Sequence, residues 1–368
     1  MTAQPLDRAP RTRVLVVAAP FISQGGVFTS LQRTLPVLSS NGIDVGVLWG
    51  SRVPGGALPG AWVRRIDEPS AAIARPRALR TAVQSAVDEW GPDALLSVLP
   101  QADVACAGVA RRQRVPWIAM VRGRPVPLAH DAHWAKRILW RTAVRRAYRD
   151  ATTVIAVSAD LGHVTEGLTG RPIDRVVHNG VDLASFRALR RDTRPEPTLG
   201  YVGRLTAEKA PEVAIAAARL ADARIDVFGD GPLLARLQGE TRDPAVRFRG
   251  WTTPQQAFAG IDILVVPSFR EGLGNVILEA GAAGIPVVAR AAGGIPEIFA
   301  HDQALSQACL VPASAEPADF AQAIRPLLDS REHRIWAGQR LAQVIASRFS
   351  VDAAAAELAD VIRDAAAR

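Results

Sequence analysis

Residues 262–290 read DILVVPSFREGLGNVILEAGAAGIPVVAR. A β-branched run, DILVVP, meets a loop with two glycines, REGLGN; a segment with helical spacing, NVILEAGAAG, follows, and a second β-branched run, IPVVAR, closes the stretch. Strand, glycine loop, helix and strand in this order predict a βαβ unit with both strands parallel in one sheet. From residue 272 to residue 289 the only charged side chain is Glu279, and Glu271 stands eight positions before it. With a helix beginning near Gly274 or Asn275, Glu271 falls at the carboxyl end of a strand. Glu279 falls about one turn into the helix, among Ile277, Leu278, Ala280 and Ala283, where an unpaired carboxylate is costly. Two kinds of partner fit it: an arginine in a buried salt bridge, or vicinal hydroxyls such as those of a ribose. The N–H groups around Gly274 and Asn275 are suited to a phosphate.

The same alternation extends in both directions. VLVVAA (14–19), DVGVLW (44–49), ALLSVL (94–99), WIAMV (117–121) and TVIAV (153–157) precede it, then TLGYVG (198–203) and RIDVFG (224–229), with helix-like segments between. The expected fold class is α/β, with two Rossmann-like, doubly wound domains facing across a deep cleft. The expected boundaries are a disordered extension at 1–12, an N-terminal domain at 13–185 and a polar, proline-bearing linker at 186–197. A C-terminal domain at 198–350 follows, then a helix at 351–368 that packs back on the N-terminal domain. A chain of 368 residues with 48% hydrophobic content can fill two such cores.

Ligands of open parallel sheets bind at the carboxyl ends of the strands. There, after the first run, PFISQGGVFTSLQ places Gly25 and Gly26 at a helix start; the G-x-G-x-x-G spacing of a dinucleotide fingerprint is absent. After TLGYVG, the sequence GRLTAEK places Arg204 and Lys209 near another helix start. Of 44 basic residues only Lys136 and Lys209 are lysines, and a lysine beside an arginine fork suits a phosphate.

Residues 1–186 hold 23 Lys+Arg against 14 Asp+Glu, a net of +9, so the net of +8 leaves −1 for the remainder. The basic half is expected to face something anionic. The segment HWAKRILWRTAVRRAYR (133–149) carries Lys136 or Arg137, Arg141, Arg145 and Arg149 at four-residue spacing, which suits either an anionic membrane face or a solvated helix. No aromatic-basic module for nucleic acid occurs. Two distant cysteines, Cys106 and Cys309, in apolar or alanine-rich surroundings, and a polar N-terminus without signal-peptide character lead to an expected cytoplasmic location, with peripheral contact at the inner membrane face.

Together, GG after the first run, HNGVDLASF (178–186), GR-x4-K (203–209), FGDGP (228–232), E-x7-E (271–279), GIPVVA and GGIPE resemble the family 4 retaining glycosyltransferases of GT-B fold. The resemblance covers nearly the whole chain. It implies transfer of a hexosyl group from a nucleotide-diphosphate sugar, UDP-linked before GDP-linked, to a glycan or polyprenyl-linked acceptor, in surface polysaccharide or glycoconjugate biosynthesis. Glu279 would bind the donor ribose, Arg204 and Lys209 the diphosphate, and Glu271 the donor sugar. Gly274, Asn275, Leu273, Gly203 and Gly26 would complete the donor site, with Gly25 and Arg122 on the substrate side. No D-x-D triplet occurs, so no metal and no cofactor are expected. Relatives place a histidine after the strand that WIAMV represents; here Arg122 and Gly123 stand there, with His130 and His133 nearby. That departure keeps two other readings in view: an impaired nucleotide-sugar-binding partner subunit, or a sugar-nucleotide epimerase of the same fold.

Overall fold

The structure, a computed structural model, describes residues 11–21, 26–51, 58–66, 75–126, 134–187, 189 and 196–368. They form two compact units, one of residues up to His178 together with Asp352–Arg368, the other Asn179–Val351.

The first unit runs β1 (Thr12–Phe21), α1 (Gly26–Ser40), β2 (Ile43–Ser51), β3 (Trp62–Ile66), α2 (Arg75–Trp90), β4 (Ala94–Ser97), α3 (Pro100–Gln113), β5 (Trp117–Val121), α4 (Trp134–Arg149), β6 (Thr153–Ala156), α5 (Ala159–Thr169) and β7 (Arg175–Val176). Its seven strands are parallel in the order β3-β2-β1-β4-β5-β6-β7. The second unit runs α6 (Leu183–Arg187), β8 (Leu199–Val202), α7 (Pro211–Leu220), β9 (Ile225–Phe228), α8 (Leu234–Glu240), β10 (Val246–Gly250), α9 (Pro254–Phe258), β11 (Ile263–Val266), α10 (Asn275–Ala282), β12 (Val287–Arg290), α11 (Ile295–Phe299), α12 (Gln303–Cys309), β13 (Leu310–Val311), α13 (Pro317–Asp329) and α14 (Arg331–Arg348). Its six strands are parallel in the order β10-β9-β8-β11-β12-β13.

Helices cover both faces of such sheets, so central strands are apolar throughout. β4, β5, β6, β9, β11 and β12 are buried along their whole length and are mostly apolar, with Ser97, Asp226 and Arg290 the buried polar residues of β4, β9 and β12. β3 (WVRRI) and β10 (VRFRG) stand at sheet edges, where Val63, Arg64 and Arg65 of β3 and alternate residues of β10 meet water, and an apolar-run criterion passes over them. The strand order reverses between β1 and β4 in one sheet and between β8 and β11 in the other. The loops after β8 and β11 therefore leave neighbouring strand ends in opposite directions, which opens a crevice for a ligand.

The chain passes between units at His178 and Asn179, ahead of the stretch expected as linker. The cause is packing: Val181 bridges Ser350, and Phe186 is fully buried in the second core. The last helix, α15 (Val351–Ala366), lays Ala355, Leu358, Ala359, Ile362 and Ala365 into the first unit's core, and Arg363 donates to the carbonyl of Asn41. Among the described residues no helix is long and apolar enough to cross a membrane.

Candidate functional site

Two loops at the switch point of the second sheet carry most of the expected residues. The loop after β8 holds Gly203, Arg204 and, closing a 3₁₀ turn, Lys209. The loop after β11 holds Ser268, Glu271, Leu273 and Gly274 and leads into α10.

The two loops are joined by charge. Lys209 Nζ lies 2.6 Å from Glu271 Oε1, with 18% and 14% of the two side chains exposed. Ser268 donates to the same oxygen at 2.9 Å. Arg204 is exposed and pairs with Glu208 at 2.9 Å, and Arg270 approaches the other oxygen of Glu208 at 3.7 Å. A backbone bond from Phe269 N to Glu208 O, 2.8 Å, fixes one loop on the other. Buried Tyr201 donates to the carbonyl of Arg204; burial first, then the nearby charge of Glu271, raises its phenol well above the ordinary range.

Glycines set the backbones behind these groups. Gly229 has φ +143°, and a Cβ there would stand 1.8 Å from Gly203 O; one on Gly231 would stand 2.5 Å from Leu205 O. The FGDGP stretch is thus a floor on which the Arg204 loop rests without space for side chains. Gly293, φ +59°, backs Glu271 in the same way, with a Cβ position 2.0 Å from Glu271 O.

Gly274, at φ +98° in the left-handed region, is the N-cap of α10 and has no side chain with which to cap it. The positive end of the helix dipole therefore faces the loop that carries Glu271. Asn275 opens the helix and accepts from Asn179 Nδ2 at 2.8 Å, which ties the HNGVD motif to this site. Glu279 is buried within α10, as the apolar neighbours in sequence implied. Leu273 points into the core, so only its backbone can meet a ligand.

The remaining residues lie in the first unit. Gly26 is the first residue of α1, and Gly25 lies outside the described residues, as do His130 and His133. Arg122 follows β5, donates to Ser30 on α1 and lies 3.8 Å from Met120 Sδ. Burial lowers its guanidinium pKa to about 10. Sequence reading missed Ser268, Glu208, Arg270 and Asn179. The one available signal was their position: each stands beside a quoted motif or within it.

The profile described as "Glycosyl transferases group 1" matches residues 196–330, and that of "Glycosyltransferase Family 4" matches residues 24–185. Sulfoquinovosyl transferase SQD2 of Arabidopsis thaliana is 30% identical over 362 residues, 89% of this chain and 69% of that protein. The GDP-mannose-dependent alpha-(1-6)-phosphatidylinositol dimannoside mannosyltransferase of Mycobacterium tuberculosis is 30% identical over 246 residues, 60% of this chain and 63% of its own length. A D-inositol 3-phosphate glycosyltransferase of Corynebacterium aurimucosum is 35% identical over 208 residues, 50% of this chain and 48% of its own. Among solved structures, Anabaena HepE in complex with UDP and glucose superposes with a TM-score of 0.77 at 20% identity, covering 96% of this chain and 100% of that one. Sucrose-phosphate synthase from Thermosynechococcus elongatus gives 0.77 at 19%, covering 96% and 99%. With these matches along both units, the chain belongs to the group 1 glycosyltransferases of family 4, and its two parallel-sheet, Rossmann-like units are those of the GT-B fold.

Proposed function

We propose that this glycosyltransferase moves a hexosyl group from a UDP- or GDP-linked sugar to a glycan or lipid-linked acceptor, with retention of anomeric configuration and without a metal ion. The observation that carries the reading is the Lys209–Glu271 pair at the switch point of the second sheet, in the loop leading to the start of α10. When the glycosidic bond to the diphosphate breaks, negative charge grows on the leaving oxygen, and preorganised cations and N–H groups stabilise it. Lys209, Arg204 and the first turn of α10 would supply them. Glu271 would then face the sugar, Glu279 would accept from the ribose hydroxyls, and the acceptor hydroxyl would pass its proton to the departing phosphate. A nucleotide-sugar donor is supported by the mycobacterial relative, whose name states dependence on GDP-mannose. Metal independence rests on the sequence, which has no D-x-D triplet.

We further propose that one substrate is anionic, recognised through Arg122. Arg122 follows the carboxyl end of β5, and a guanidinium there can meet a carboxylate, sulfonate or phosphate in bidentate fashion. The names of the three relatives each contain such a group: a sulfonated sugar, a phosphatidylinositol and an inositol phosphate. Surface polysaccharide or glycoconjugate biosynthesis on the cytoplasmic side of the membrane fits this chemistry, and both cysteines are buried free thiols.

The test is incubation of the purified protein with a panel of UDP-, GDP- and dTDP-sugars, with release of nucleoside diphosphate measured. Slow hydrolysis of one donor class is the expected result. Binding without turnover points to a partner subunit, and conversion of the sugar without release points to an epimerase.

A further inference from the structure

We propose that Ser268 is the positioning residue for the Glu271 carboxylate, and that buried Arg290 sets Ser268 in place. The proposal rests on the reading of Glu271 as the group that faces the donor sugar. Lys209 at 2.6 Å and Ser268 at 2.9 Å both donate to Oε1 of Glu271, and among the described residues Oε2 accepts no hydrogen bond. One oxygen is thus held from two sides, and the other is left to a ligand. The two donors are not equivalent. Lys209 is a charge that a diphosphate draws to itself, whereas Ser268 carries a neutral hydroxyl, is 3% exposed and belongs to the same loop as the carboxylate. Once the diphosphate of a donor takes the ammonium, the hydroxyl is the group that still holds the carboxylate in this orientation.

Ser268 is clamped from behind. Arg290, at the end of β12 and 2% exposed, donates from Nε to Pro267 O at 2.9 Å, and from one terminal nitrogen to Ala313 O at 2.9 Å and Ala315 O at 2.7 Å. Its Cζ lies 4.5 Å from the centre of the Phe269 ring and 5.3 Å from that of buried Phe320. The residues on either side of Ser268 are therefore both held by one guanidinium, Pro267 through its carbonyl and Phe269 through its ring. The N–H of Phe269 is taken by Glu208 O. The carbonyls of Ala313 and Ala315 tie the same guanidinium to the loop after β13. A planar, always-charged fork can serve two loops and two rings at once, which an ammonium on a flexible stem cannot. The chain of contacts runs from the loop after β13 through Arg290 and Ser268 to a single carboxylate oxygen.

The test is the rate of nucleoside diphosphate release from the donor that the wild type hydrolyses, with affinity for UDP and GDP measured alongside. Ser268→Ala is expected to lower kcat by about tenfold or more, with KM for the donor and affinity for the nucleoside diphosphate within about twofold of wild type. Ser268→Thr keeps the hydroxyl and should recover most of the rate. In a Glu271→Gln background the same Ser268→Ala change should cost less than about twofold further, because its effect passes through the carboxylate. Arg290→Lys is expected to lower kcat several-fold in the otherwise native chain and to add little to Ser268→Ala. Phe269→Leu, at a position 51% exposed where folding is not at stake, should act in the same direction. Ser268→Ala with wild-type kcat, a loss repeated in full in the Glu271→Gln background, a parallel fall in UDP and GDP affinity, or full additivity of Arg290→Lys with Ser268→Ala would each overturn the proposal. Wild-type turnover by Glu271→Gln alone would instead overturn the reading of Glu271 on which it rests, whatever Ser268 does.

Discussion

Lys209 and Glu271, 62 residues apart in sequence, meet at 2.6 Å and close the loop after β8 against the loop after β11. Each half-buried charge is the other's counter-ion. A diphosphate that takes Lys209 must therefore compete with Glu271, and removing the carboxylate relieves that competition. Glu271→Gln is expected to bind nucleoside diphosphate at least as tightly as wild type while turnover falls by about 10²-fold, whereas Lys209→Ala loses both. Calorimetry with UDP and GDP checks this, and an equal loss of affinity in the two variants would remove the separate roles.

Glu279 is buried in α10, yet the proposal gives it a ribose. Glu279→Ala should weaken binding of UDP or GDP by about tenfold or more, the size of one or two charge-assisted hydrogen bonds. The variant should leave the weaker binding of inorganic pyrophosphate unchanged. If pyrophosphate binding falls in parallel, the carboxylate supports the loop rather than the sugar of the nucleotide.

Gly229→Ala puts a methyl group against Gly203 O, at a φ of +143° that side chains avoid. A cost of about 2 kcal/mol or more is expected from that conformation and contact together. Gly239→Ala, in α8 with open space around the added carbon, should be neutral or stabilising by up to about 1 kcal/mol. Urea denaturation of both variants tests the comparison; a neutral Gly229→Ala would mean that the loop shifts freely.

A pH dependence is built into the first unit. Asp103 on α3 is fully buried, accepts from Ser97 at 2.6 Å and from Tyr148 at 2.8 Å, and Trp117 donates to Ser97. Burial raises its pKa to about 7, against the lowering effect of those two hydroxyls. The folded protein then holds a proton that the unfolded chain releases near pH 4. The stability from this group is full below that value and is lost as pH rises through 7, on the order of 4 kcal/mol in total. Asp103→Asn should flatten the fall in unfolding free energy between pH 5 and pH 8.5. A slope equal to that of wild type would assign the dependence elsewhere.

How far the sequence carried each feature depends on whether its cause is local. The buried strands were legible because a strand covered on both faces is mostly apolar, as WIAMV (117–121) and ILVV (263–266) are. Glu279 was legible because its neighbours in the helix are apolar. The partner of Glu271 was not, since nothing local ties residue 209 to residue 271; the reversal of strand order does. Which arginines of α4 are covered was not legible from their spacing alone, since a four-residue step turns a helix by about 400° and the row drifts about 40° each time. Along the row Arg141 and Arg149 are exposed, whereas Arg137 and Arg145 are partly covered. The exposure of Trp134, Ile138 and Leu139 could not be read from hydropathy, which predicts burial for all three.

Arg122→Lys is expected to raise the Michaelis constant for one substrate several-fold and leave the other unchanged, because an ammonium cannot reproduce a bidentate contact. Steady-state kinetics with donor and acceptor varied in turn show which one. If Arg122→Ala leaves both constants within about twofold, a change of roughly 0.4 kcal/mol, the anionic-substrate reading falls.

The central claim is that the loops at 203–209 and 271–279 bind and cleave a nucleotide sugar without a metal. Its most direct test is release of nucleoside diphosphate from the donor panel in the presence of a chelator, for the wild type and Lys209→Ala side by side. The account predicts release from one donor class by the wild type, undiminished by chelator, and a rate lower by about 10²-fold in the variant. Release that requires added Mg²⁺ or Mn²⁺, or that proceeds equally well without Lys209, would contradict it.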